Sequence, residues 1–156
     1  MSDAIQEKAQ PVFNMEKIYV KDLSLEIPHS PQIFLERESP QIEVQLHTLA
    51  SSFEEGVFEV VVTVTVTAKL GEKVMFLIEA KQAGVFQVRN VPTKELEVIL
   101  AVMCPNILFP YVREVVSDAS IRGGFAPVLL NPINFEDIYQ QQKQQEVKAG
   151  VSTTTH

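Results

Sequence analysis

The amino-acid sequence predicts an α+β fold: a four-stranded antiparallel sheet with one face covered by helices. Three features carry this. Ahead of Val91, apolar and polar residues alternate in separate segments, the period of a half-buried strand. Two of these segments meet at Gly71-Glu72, a hairpin turn. Beyond Pro92 the apolar residues recur at helical spacing instead.

The first strand is Lys17 to Ile27, with Leu23, Leu25 and Ile27 on one side and Asp22, Ser24 and Glu26 on the other. Residues 1–16 before it are expected to be flexible. Pro28-His29-Ser30-Pro31 breaks the pairing, and a long connection carrying Ile33, Phe34 and Leu35 closes at Pro40. Ile42 to His47 alternates as a second strand. Phe58 to Leu70 is a third, with Phe58, Val60, Val62, Val64 and Val66 on one face, and Lys73 to Val88 returns as the fourth. Such a sheet has one greasy face and one solvated face, and the helices supply the cover.

Pro92-Thr93 opens the first helix, with Glu95 and Glu97 near its positive end. Pro105 and Pro110 interrupt the apolar run Met103 to Tyr111, so the first helix is expected to stop near Cys104 and a second to run from Asn106 to Ile121. Gly123-Gly124 ends that helix. Asn134 caps a third, whose apolar side is Phe135, Ile138 and Tyr139. The expected domain spans residues 17–140, and the Gln-rich tail, residues 141–156, is expected to be disordered.

The net charge of −7 argues against nucleic acid and favours a basic partner. A single cysteine excludes an internal disulfide and fits a reducing compartment. Neither a signal peptide nor a run of about 20 apolar residues is visible, so the expected location is the cytoplasm and no membrane insertion is foreseen. His29, His47 and His156 have no cysteine or carboxylate at metal-ligand spacing, and there is no glycine-rich phosphate loop. Cys104, before a proline in an apolar run, reads as a buried structural thiol. Neither cofactor, metal nor catalytic residue is expected.

Two features remain for binding. Asp22 and Glu26 share one strand face at four-residue spacing, and Leu77 and Glu79 share another at two-residue spacing. A solvated surface is the plainer reading; a docking platform for a basic partner, anchored by Leu77, is the sharper one. The second feature is surplus apolar surface on the long loop, on Ile42, Val44 and Leu46, and on Phe109 and Tyr111, more than three helices can cover.

The blocks Ile18-Tyr19-Val20-Lys21-Asp22, Val64 to Ala68, Cys104 to Tyr111 and Asn131 to Phe135 together resemble the SecB family of bacterial export chaperones, over Lys17 to Tyr139. The resemblance implies an ATP-independent chaperone that holds unfolded precursor proteins and passes them to the translocation motor SecA. It also implies a tetramer, a dimer of dimers. By that resemblance Asp22, Glu26, Leu77 and Glu79 dock SecA, and Ile78, Ala80 and Gln82 form the subunit interface. Phe34, Ile42, Val44 and Tyr139 are the implied client-binding residues. Many family members carry a tryptophan in the loop where this chain has Glu38. Two rivals are a SecB-like chaperone that guards an antitoxin and a thioesterase-type enzyme using Glu95 or Glu97.

Overall fold

A computed structural model describes residues 9–152. Four strands, β1 (Val12–Glu26), β2 (Gln41–Glu54), β3 (Val57–Leu70) and β4 (Lys73–Arg89), form one antiparallel sheet in the order β1-β4-β3-β2. Gly56 and Gly71 take positive φ at the two hairpin turns, which a side chain there would strain. The long connection holds a short 3₁₀ turn, Gln32–Leu35. Ile33 is buried there, whereas Leu35 is exposed.

β1 starts earlier than the alternation implied, at Val12 instead of Lys17. Phe13 pairs with Val88 and its ring stacks on Phe86 at 5.8 Å, which extends the edge strand. Residues 1–8 of the expected flexible start lie outside the described residues.

The helical half also departs from expectation. α1 (Thr93–Val98), a π-helical turn (Ile99–Met103) and α2 (Cys104–Arg122) join into one helix, not two separated at Cys104. The π turn explains how. Pro105 has no N–H and its ring would collide with a carbonyl four residues back; the Cys104 N–H instead reaches Ile99 O, widening the turn. The joined helix, Thr93–Arg122, is long and apolar enough by length and composition to cross a membrane, unlike any uninterrupted apolar run in the sequence. Part of that apolarity covers the sheet: Cys104, Leu108, Val112 and Val116 form a buried stripe over β3 and β4.

α3 (Phe135–Ser152) is capped as expected, the Asp137 N–H donating to Asn134 Oδ1 at 3.1 Å. It continues through the stretch expected to be disordered from residue 141, because Gln, Lys and Glu are good helix formers even without an apolar face. Residues 153–156 lie outside the described residues. The core sits between sheet and α2, with Val60, Val62, Val64, Val66, Phe76, Ile78 and Phe86 from the sheet.

Candidate functional site: an apolar groove and an acidic corner

The β2 edge carries the groove. Opposite Ala68, Val66 and Val64, the side chains of Ile42, Val44 and Leu46 share the helix-facing side. The wall facing them comes from residues that follow α2. The segment after Gly124 folds back and leaves an open groove of about 680 Å3 between β2 and Phe125 to Leu130. Among the described residues that line it none is charged. Phe34 stacks on Phe125 at 5.3 Å and Phe125 packs on Phe76 at 4.5 Å, so an aromatic column closes one end. Ile42, Val44 and Phe34 remain exposed enough to be touched.

Three groups that build this groove were not singled out in the sequence. Ser120, fully buried in the last turn of α2, donates to Ser117 O at 2.8 Å and accepts the Val128 N–H at 2.9 Å, which pins the returning segment. A polar residue inside an apolar helix stripe was the available signal. Met75 neighbours the inward-facing Phe76 in sequence, and it too is buried in the groove wall. The register slips between Ala68 and Lys69, so β4 carries one extra residue there and Met75 turns inward. Phe125, the centre of the aromatic column, lay in a loop that the helix pattern passed over.

Tyr139 does not join the groove. It lines a separate cleft of about 400 Å3 further along β2, with Thr48, Ala50, Leu100 and Ala101. Its hydroxyl donates to Glu97 Oε2 at 3.2 Å, beside Lys143 Nζ at 2.9 Å. The Lys143 bond, then that of Tyr139, holds the Glu97 carboxyl below its ordinary range. Glu97 is thus an exposed, ion-paired carboxylate, and Glu95 is exposed as well.

The acidic residues do come together. Glu26 pairs directly with Leu77 and Ser24 with Glu79, while Asp22 pairs with Lys81. Side chains of this row point away from the helices, so Asp22, Glu26, Leu77 and Glu79 form one corner of the outer face. Lys81 stands beside Glu79 at 3.9 Å. Leu77 is half-buried in this row, with Glu26 opposite it, Glu79 two residues along and Asp22 further on, opposite Lys81. They form a surface suited to a basic partner with an apolar contact.

The interface positions are corrected. Ile78, Ala80 and Gln82 are only 0%, 1% and 3% exposed within a single chain. They lie under α2, so a second subunit cannot reach them. Their cross-strand partners Leu25, Leu23 and Val20 are different. Met15, Val20 and Leu23 of β1 remain exposed, as do Tyr111 and Ile121 of α2. Glu38 is exposed.

Comparison with known proteins agrees with this arrangement. Residues 6–146 match the profile of the family described as Preprotein translocase subunit SecB. The Protein-export protein SecB of Methylobacillus flagellatus is 58% identical over 151 residues, covering 97% of this chain and 96% of that protein. That of Nitrosomonas eutropha is 62% identical over 142 residues, covering 90% and 89%. Among solved structures, a SecB-like chaperone of Mycobacterium tuberculosis in complex with a peptide from the HigA1 antitoxin shares the fold. Its TM-score is 0.64 at 15% identity, over 78% of this chain and 90% of that one.

Proposed function

The chain belongs to the SecB family, a family of protein-export chaperones and not of enzymes, and from that premise we propose how its surfaces divide the work. The groove holds unfolded precursor segments, with Phe34, Ile42 and Val44 as contacts and Tyr139 at a second, smaller site. The observation that carries this is an open cavity of about 680 Å3 with no charged wall among the described residues. Each Å² of apolar surface removed from water contributes about 25 cal/mol, so short sticky segments bind weakly one at a time. Several grooves acting on one chain hold it firmly through effective concentration. No nucleotide is needed, because nothing in this cycle requires a covalent step.

The acidic corner of Asp22, Glu26, Leu77 and Glu79 docks the SecA motor, and handover follows by competition. The exposed apolar flank of β1 and α2 is covered by a second copy, on the way to a dimer of dimers in the cytoplasm. The antitoxin-guarding alternative gains nothing from the close relatives, which carry the export name. Nor is the thioesterase reading supported, since Glu97 is engaged by Lys143 and Tyr139.

The test is stoichiometric. The purified chain, without ATP, should suppress aggregation of a denatured precursor in proportion to its own concentration. SecA binding followed across a salt series should weaken steadily as charges are screened. A chain that leaves precursor aggregation unchanged overturns the holding role, and salt-independent SecA binding overturns the docking role.

A further inference from the structure

The acidic corner depends on a single inserted residue. Tyr19 pairs with Ala83 and points outward, away from the helices. Between Val20 and Asp22 the register against β4 slips, leaving Lys21 as the extra residue. One extra residue exchanges the two faces for everything that follows it. Without the slip, Leu23 and Leu25 would face outward, and Asp22 and Glu26 would turn under the helices. With it, the acids share the face of Leu77 and Glu79.

Glu59 holds this bulge from two strands away. It lies on β3, faces outward, and pairs with Val85 on the intervening β4. Its Oε1 accepts from Lys21 Nζ at 2.6 Å and its Oε2 accepts from the Tyr19 hydroxyl, so both oxygens are engaged. Its side chain is 18% exposed, against 41% or more for every other ion-paired carboxylate among the described residues. Between the two strands lies Ala83, small and fully buried, which leaves room for a bridge above β4. From the opposite face, Gln82 Nε2 donates to the Tyr19 main-chain oxygen at 3.2 Å. The bond from Lys21, then that from Tyr19, keeps the Glu59 carboxyl below its ordinary value, so it is charged at neutral pH.

We propose that Glu59 is a positioning residue for partner docking: by tethering Lys21 and Tyr19 it fixes the β1 bulge and so aims Asp22 and Glu26 at the basic partner. This rests on the docking role given above. Glu59 itself does not touch the partner.

Lys21→Met separates positioning from charge. It removes a positive charge next to Asp22, so if charge alone mattered, binding to purified SecA at low salt should tighten. Loss of the tether should instead weaken it, about fivefold, as expected for displaced interface charges. Lys21→Arg keeps the tether and should bind like the parent. Glu59→Gln should weaken binding in the same direction as Lys21→Met. Nuclear Overhauser contacts between Asp22 and Lys81 should fade in Lys21→Met and persist in Lys21→Arg, while precursor holding is unchanged in all three. Tighter or unchanged SecA binding by Lys21→Met, alongside weaker binding by Asp22→Ala, overturns the positioning role and leaves docking intact. If Asp22→Ala binds SecA like the parent, docking itself fails, and the positioning role with it.

Discussion

β1 and β2 are the two edges of one sheet, and they present different surfaces because one is regular and the other is not. β2 keeps its register with β3 from Gln41 to Ser52, so Ile42, Val44 and Leu46 fall in one unbroken apolar row. β1 slips twice against β4, after Met15 and after Val20. Each slip exchanges its faces, and the second puts Asp22 and Glu26 on the face of Leu77 and Glu79. A regular edge yields a continuous strip that suits extended chains of any sequence. A bulged edge puts Asp22 and Glu26 on the face that carries Leu77 and Glu79. Composition alone does not make this distinction, since both strands mix apolar and acidic residues.

Charge reversal at the bulged edge should give the largest effect. The double substitution Asp22→Lys, Glu79→Lys should weaken SecA binding about 100-fold at low salt, since like charges brought face to face cost several kcal/mol. Precursor holding should stay within about twofold, because distant sites act independently. Losing both activities together would show that the two edges are not separate. At the regular edge, Val44→Asp places a carboxylate in a groove without a charged partner and should weaken precursor binding about tenfold by titration with an unfolded fluorescent precursor. SecA binding is the control and should not move. A smaller effect is expected beneath the groove. Ser120→Ala leaves the buried Val128 N–H without its acceptor and should cost about 1–3 kcal/mol in urea unfolding.

In the regular edge the sequence alternation showed only Ile42 to His47 of a strand that runs Gln41–Glu54. In the bulged edge the shared face of Asp22 and Glu26 was legible and the register slips were not. Alternation in Phe58 to Leu70 and the Gly71 turn located the central hairpin, since period and turn chemistry are local properties. Gly124, at φ 85°, and the Asn134 cap marked helix boundaries for the same reason. The bulges left only faint traces, the polar pairs Glu16-Lys17 and Lys21-Asp22, because a register slip belongs to two strands and not to one. Pro105 misled in the opposite direction. It normally ends a helix, but the π turn before it absorbed the missing bond, an accommodation that depends on packing against the sheet. Depth was also hidden. Ile78, Ala80 and Gln82 share one face of β4, and the position of α2 shows how fully that face is covered.

The smallest effect concerns pH, and it compares the bulged edge with the core. Burial raises the Cys104 thiol from 9.0 to about 12, and the hydrogen bond to Glu59, followed by burial, raises Tyr19 from 10.0 to about 12. Below pH 9 both groups are protonated in folded and unfolded chains alike, so their contribution to stability is fully present. As pH rises past 9.0 the unfolded thiol ionises while the folded one does not, and past 10.0 the unfolded phenol follows. Stability should therefore fall through this window and level off, as far as these two groups are concerned, near pH 12. Urea midpoints measured across the alkaline range should show it. Cys104→Ala should move the onset of the fall toward 10.0, the ordinary value of the remaining group. Tyr19→Phe should leave the onset at 9.0 and make the later fall shallower. If both variants follow the parent curve, neither group is shifted by folding, and Glu59 does not hold the Tyr19 hydroxyl at the β1 edge.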